Sequence, residues 1–248
     1  MKWFLSFLTP FFLFSQSGVE IATLLDQKLA PKDLSNKAKM ILTNSKGKSR
    51  TSEMVSKSLN RNEKQMIWFL EPRDDRGVSF LKVEHENGDG EMRMWLPAFK
   101  KLRRISAKKK GDSFMGSDLT FEDLSNRHLA YYNYNRLDDE IFDNSECFVL
   151  EVLPKKEAQS SSSKYVCWVD KKTLNLLKET SYNKRGLLEK EKRFKYELMG
   201  PYYILKQVFV RNKIKKHTTE FIFSDIEFDK GLKNNLFHEK NLKHLPRY

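Results

Sequence analysis

Cysteine is nearly absent. The 248-residue chain has two, Cys147 and Cys167, too few for a disulfide-dense scaffold, and neither stands beside a His at a metal-binding spacing. No HExxH occurs: His238-Glu239 is followed by His244, six residues after the first His, so the pair does not stack on one helical turn. Glycine and proline are sparse, at ten and seven, which excludes collagen-like and low-complexity chains. Glycine-based catalytic motifs fail as well. Gly111-Asp112-Ser113-Phe114-Met115-Gly116 places its second Gly one residue late for a nucleophile elbow, and Gly88 and Gly90 begin a dinucleotide pattern that no helix completes. No pair of acids stands out from the charged surface. The residues give no positive reason to expect an enzyme, and no cofactor or metal is implied. Beyond the N-terminus no apolar run approaches ~18 residues, which excludes a later membrane-spanning helix.

What is present begins with a segment that reads as a secretory signal peptide, residues 1–17. Lys2 supplies a short basic region. Trp3 to Phe14 is a twelve-residue apolar run broken by Ser6, Thr9 and Pro10. Ser15 and Ser17 put small residues at the −3 and −1 positions of a cut before Gly18. Twelve residues are too few to cross a hydrocarbon core of ~30 Å as a helix, so cleavage is favoured over anchoring. No Cys follows the run, so acylation is not indicated. Net charge is +13, and the cut leaves 45 cations against 33 acids. A basic chain suits nucleic acid, an anionic membrane surface or an acidic partner. Export argues against nucleic acid. An aromatic content of 12% excludes a disordered chain.

Ile21, Leu24, Leu25 and Leu29 share one helical face and Pro31 follows, which predicts an amphipathic helix over 19–29. From Asn36 the period becomes two. Lys190 to Leu198 is the clearest case: Lys192, Phe194, Tyr196 and Leu198 point one way, the charged residues between them the other. Comparable segments occupy 37–45, 49–60, 63–71, 77–86, 90–96, 101–106, 145–153, 164–170, 174–183, 202–211 and 217–228. Turn signals such as Lys46-Gly47, Asn87-Gly88 and Lys184-Arg185-Gly186 separate several of them. This predicts a mainly β (α+β) chain, an antiparallel meander in one large curved sheet with a few helices. No linker divides residues 18–248, which read as one domain, and the polar 154–163 reads as a long hairpin loop. Residues 107–137 break the meander and should hold a short helix at Leu119 to Leu124, with Asp118 as its cap candidate. A second helical piece is expected after Gly231, ending near Leu242.

Two further features leave alternatives open. If Leu153 pairs with Lys164, Cys147 falls opposite Asp170, three residues from Cys167, so a disulfide competes with two buried thiols. Lys100-Lys101-Leu102-Arg103-Arg104 and Lys108-Lys109-Lys110 are either solvated faces or a docking patch for anionic headgroups or an acidic partner, with Arg103 and Arg104 its candidates.

Met94-Trp95-Leu96-Pro97-Ala98, Arg103-Arg104-Ile105, and the run from Gly111 through Phe114-Met115-Gly116-Ser117-Asp118 to Leu124 resemble the signature of exported LolA-like outer-membrane lipoprotein-sorting proteins. The matching subgroup contains a treponemal uncharacterised-protein domain. Phe69-Leu70-Glu71-Pro72 with Gly77, Trp168-Val169-Asp170 with Tyr182 and Gly186, Thr218 to Ile226, and Leu236-Phe237 support the resemblance, over roughly residues 30–245. It implies a half-open antiparallel β-barrel of the LolA/LolB type, with helices covering a concave face that holds acyl chains. It implies a periplasmic, non-enzymatic role in lipid binding, lipoprotein sorting and transport, and so in outer-membrane biogenesis. Its partners would be lipoprotein acyl chains or another lipid, with an inner-membrane transporter and an outer-membrane acceptor. It also implies a cation on the sheet that latches the cover, at no position the sequence assigns.

Physical chemistry supports a carrier independently. Each acyl CH₂ exposed to water costs about 0.8 kcal/mol, so a chain of ~15 costs about 12 kcal/mol and needs an apolar cavity to cross an aqueous compartment. Met66 to Leu70 is apolar on both strand faces. Trp68, Phe80, Met94, Phe114, Met115 and Phe121 are the candidate lining, the methionines suiting ligands of varied shape. Ordinary core packing is the competing reading for each. Residues 111–124 combine two glycines with apolar side chains, as a movable lid over the cavity would, or as a rigid packed turn would. The competing function is a non-enzymatic periplasmic accessory module of an envelope transporter or assembly machine.

Overall fold

A computed structural model of the chain describes residues 16–85 and 88–246. The signal-peptide reading therefore lies outside the described residues except at Gln16 and Ser17, as does Asn87 of one hairpin signal.

Among the described residues one α-helix, α1 (Gly18–Asp26), precedes thirteen strands. These are β1 (Asp33–Thr43), β2 (Ser49–Leu59), β3 (Lys64–Glu71), β4 (Ser79–His85), β5 (Gly88–Leu96), β6 (Lys101–Ile105), β7 (Tyr132–Phe142), β8 (Ser145–Pro154), β9 (Lys164–Asp170), β10 (Leu176–Tyr182), β11 (Leu188–Met199), β12 (Tyr202–Asn212) and β13 (His217–Phe228). All thirteen belong to one antiparallel sheet, ordered β6-β5-β4-β3-β2-β1-β13-β12-β11-β10-β9-β8-β7. The first and last strands meet in its middle, where Ala38 faces Phe223 and Met40 faces Phe221. The sheet curls without closing, so the expected half-open form is an open curled sheet rather than a complete barrel. Its free edges are β6 and β7, and residues 106–131 run from one edge to the other across the concave side.

Ser17 starts α1 with a capping box. Its hydroxyl accepts from the Glu20 backbone N–H at 3.3 Å, and its own N–H donates to the Glu20 carboxylate at 2.7 Å. Gly18 is required by closeness: a Cβ there would lie 2.5 Å from the Tyr134 carbonyl oxygen of β7. The helix ends at Asp26, not at 29. Leu24 and Leu29 face solvent, and Ile21 and Ala22 carry the packing against Tyr132, Leu150, Val152 and Tyr165 on the concave face. The convex face of β2 to β5 is covered instead by the C-terminal segment, with 3₁₀ turns at Asn234–Leu236 and Glu239–Lys243 as the sequence suggested.

Three expectations are corrected. β7 lies partly in the stretch read as an insertion; it is an edge strand whose Tyr132, Tyr134 and Arg136 alternate with exposed polar residues. The expected helix at 119–124 is a single 3₁₀ turn at Glu122–Leu124, and Asp118 does not cap it. Thr120 and Asp123 close that turn, the Asp123 carboxylate accepting from the Thr120 N–H at 2.8 Å and hydroxyl at 2.9 Å. Asp118 turns to β13, accepting from the Thr219 hydroxyl at 2.8 Å beside His217. The disulfide alternative falls too. Cys147 does sit opposite Asp170, but Cys167 sits opposite Leu150. An odd offset puts the thiols on opposite faces of the sheet, and both are buried and free.

Candidate functional site

Along four adjacent strands the concave face changes character from one end to the other. β1 presents Asn36, then Ala38, then Met40. β2 presents Ser58 and Ser56, then Met54; β3 presents Gln65, then Ile67 and Phe69; β4 presents Lys82, then Phe80. The polar ends coincide because antiparallel register aligns them: Asn36 faces Ser56, and Gln65 faces both Ser58 and Lys82. Two adjoining hollows of about 580 and 890 Å³ lie over this surface, sharing Leu25, Ser56, Gln65, Arg127, Tyr196 and Phe223 as wall. Ala38, Met54, Ile67, Val208 and Phe221 give the first its apolar floor. The second reaches the rim formed by Lys32, Asp33, Arg61 and Glu84.

The opposite end is sealed. Residues 112–121 fold into a small hairpin, with the Phe114 N–H donating to the Leu119 carbonyl at 2.8 Å and the Ser117 N–H to the Phe114 carbonyl at 2.9 Å. Met115 (φ 51°) and Gly116 (φ 76°) make its tip with two successive left-handed residues. Phe114 is fully buried, with its ring centroid 5.9 Å from Phe69, 5.5 Å from Phe80 and 5.8 Å from Phe121.

Between plug and rim the cover is tied to the sheet by buried charges. Arg127 donates to Glu179 of β10 at 2.7 Å, and Lys192 of β11 donates to the other Glu179 oxygen at 2.9 Å. Lys192 also binds Asp123, which has Lys190 at 3.6 Å on its second oxygen. The Arg127 guanidinium lies 3.9 Å over the Tyr165 ring. Burial opposes the charge of Glu179, but Arg127 and Lys192 outweigh it and hold the carboxyl at about 2. Burial likewise opposes Asp123, and Lys192 and Lys190 hold it well below the usual carboxylate range. Burial pushes the Cys167 thiol up to about 12, and the neighbouring Glu179 adds to this, so Cys167 is an inert thiol. On β4, the buried Lys82 ammonium donates to the Leu124 carbonyl of the cover at 2.8 Å and pairs with Glu84 at 3.1 Å. Tyr165 donates to Glu122 at 2.8 Å, and Ser161 of the β8–β9 loop holds the same carboxylate.

Of the sequence-derived candidates, Phe80, Met94, Phe114 and Phe121 come together in one buried cluster, with Met115 packed against it. Phe114 alone of these lines a hollow. Trp68 is elsewhere. It faces the convex side among Val55, Met66 and Leu81, under the C-terminal segment, and its indole N–H points at the Asn241 carbonyl at 3.5 Å. One-residue alternation against Ile67 and Phe69 puts it there. Arg103 and Arg104 are exposed on opposite faces of the edge strand, opposite Met94 and Arg93 respectively, so only Arg103 shares the concave side. Asp123, Arg127, Glu179, Lys192 and Lys82 were not singled out. A signal existed for two of them: Lys192 alternates in phase with Phe194 and Tyr196, and Lys82 with Phe80. Among the described residues no group of His, Cys, Asp and Glu is arranged to hold a metal.

A family model described as "-like: Uncharacterized protein" matches residues 61–244. A candidate outer membrane lipoprotein-sorting protein domain from Vibrio parahaemolyticus is 34% identical, covering 92% of this chain and 98% of its own, with a TM-score of 0.86. The chain belongs to the LolA-like outer-membrane lipoprotein-sorting family. A DUF1329 family protein from Desulfovibrio piger is 29% identical, covering 91% of this chain and 97% of its own, at a TM-score of 0.85. A LolA superfamily protein from Nitrosomonas europaea shares the fold at 15% identity and a TM-score of 0.73, over 92% of this chain and all of its own. A search of curated proteins gives no significant match. The open curled sheet of this chain is thus a LolA-like fold, and its hollows occupy the concave face.

Proposed function

We propose that this LolA-like chain is a non-enzymatic periplasmic carrier that takes up acyl chains of lipoproteins or related lipids and passes them toward the outer membrane. The observation that carries this reading is the apolar-floored hollow of about 580 Å³, sealed at one end and adjoined at the other by the second hollow, which reaches the rim. Its volume lies within the range of roughly 300–1,000 Å³ typical of small-molecule pockets. The description of the Vibrio relative supports lipoprotein as cargo class. An inner-membrane donor and an outer-membrane acceptor would be its partners. Native mass spectrometry of the protein purified from its own envelope should show a lipid-mass adduct released by detergent. Adduct-free protein that also takes up no fluorescent acyl probe would overturn the proposal.

Export is part of the same proposal, with 18–248 as one mature unit. Sequencing of the exported protein should begin within a few residues of Gly18. Ser17 caps α1, so a cut just upstream keeps the capping box and a cut before Gly18 removes it. Retention of Met1 in a membrane fraction would sink the export reading.

A further inference from the structure

A bare acyl chain needs only an apolar wall, yet the rim end of this hollow is polar and two of its oxygens are unsatisfied. The Asn36 Oδ1 and Gln65 Oε1 atoms are buried from solvent without a hydrogen-bond partner. Asn36 is 9% exposed, and both residues line the hollow. Gln65 uses its amide N–H on the Ser56 hydroxyl at 3.4 Å, which leaves its carbonyl oxygen over. A buried acceptor left unpaired costs about 1–3 kcal/mol, so replacing both side chains by apolar ones would favour the empty protein. The two oxygens sit on β1 and β3 with Ser56 of β2 beside both: Asn36 is level with Ser56, and Gln65 is one side-chain step nearer the rim, level with Ser58. Ile67 lies level with Asn36, and Ala38 and Met54 lie one step deeper.

We infer that the cargo enters tail first and that its head carries hydrogen-bond donors, hydroxyl or amide N–H, which the Asn36 and Gln65 oxygens accept. The inference rests on the carrier reading and names its ligand class. The order of the strands dictates the direction: on β2, β3 and β4 the polar residues are nearest the rim and the apolar residues are deeper, and on β1 Asn36 lies between Leu34 at the rim and Ala38 below it. A tail lying against Ala38 and Met54 leaves its head between the levels of Asn36 and Gln65. An acceptor-only head, such as an ester, repeats the chemistry of the two oxygens and gains nothing there. A head with donors satisfies both. Lys82, opposite Gln65, is already committed to Leu124 and Glu84, so the discrimination falls to the two amides.

The test uses three probes of equal chain length on the mature protein: monopalmitoylglycerol, palmitamide and methyl palmitate. The two donor-bearing probes should bind at least about tenfold more tightly than methyl palmitate, a ratio worth ~1.4 kcal/mol. In the Asn36→Leu/Gln65→Met double variant the three affinities should fall within about twofold of one another, with methyl palmitate binding retained. The variant's thermal midpoint should hold or rise, since it removes unpaired buried oxygens. Equal binding of all three probes by the unaltered protein would overturn the inference and leave the carrier reading standing. Retained discrimination in the double variant would overturn the assignment to these residues. Binding of none would bring down the carrier reading, and this inference with it.

Discussion

Replacing Lys192 by Met should destabilise the protein by about 3–5 kcal/mol in equilibrium urea unfolding at pH 7. Lys192 bridges the cover to the sheet through two carboxylates, Asp123 and Glu179, all three nearly inaccessible to solvent. Removing it leaves Glu179 with Arg127 alone and Asp123 with Lys190 at 3.6 Å. Breaking a buried charge pair from one side carries a penalty of that size because the remaining charge is desolvated without compensation. Met keeps the length and apolar bulk of the lysine stem, so packing loss is a small part of the effect. Backbone amides of residues 122–128 should exchange faster in the variant. A loss below about 1 kcal/mol would mean that the network is solvated and does not hold the cover.

The same network sets an acid limit. Glu179 has an ordinary value near 4.5 and a folded value of about 2, and Asp123 is lowered as well. Groups lowered in the folded state contribute stability that is complete above their unfolded values and disappears as pH falls through the folded ones. Stability should therefore be flat from pH 7 to about 5 and fall between about 4.5 and 2. In Lys192→Met the fall should be smaller, because less of the lowering remains to be lost. An equal acid loss in both proteins would assign it to other carboxylates.

The sheet was legible because strand patterning depends on burial and turn signals punctuate it, and twelve of the thirteen strands fall on segments expected from the sequence. β7 escaped because an edge strand buries little: only Tyr132 of its eleven residues is fully buried. The Cys147 to Asp170 register followed from the β8–β9 hairpin, and with it the parity that separates the two thiols. Which face of Met66 to Leu70 would turn inward could not be read from a run apolar on both sides. Trp68 and Phe69 are equally hydrophobic, and the C-terminal segment that covers Trp68 is more than 160 residues away in the chain. The charged latch was hidden for a related reason. Asp123, Arg127, Glu179 and Lys192 converge only after a long crossover, and each alone looks like one more charge in a chain that is 32% charged.

Phe114→Ala should cost about 3–5 kcal/mol of stability, a loss much larger than any change in the acyl-probe affinity of the folded fraction, because the ring borders the smaller hollow only at its sealed end. The magnitude follows from deleting a fully buried ring that packs against Phe69, Phe80 and Phe121 at the sealed end. A lid over the cavity would behave in the opposite way, losing affinity with little change in the unfolding midpoint. Three features favour the rigid plug. The hairpin from Asp112 to Phe121 is closed by its own backbone bonds. Its returning arm is bound to β13, the Asp118 N–H donating to the Thr219 hydroxyl at 2.8 Å. No residue of the hairpin lines the larger hollow, whose rim is formed by Lys32, Arg61 and Glu84, so opening the plug would not widen that way in. Met115→Gly provides the complementary measurement. Its left-handed φ of 51° is strained for Met and free for Gly, which offsets part of the lost packing. Its cost should therefore be well below that of Phe114→Ala, with affinity unchanged. Reduced affinity in both variants at near-normal stability would overturn the plug and restore the lid.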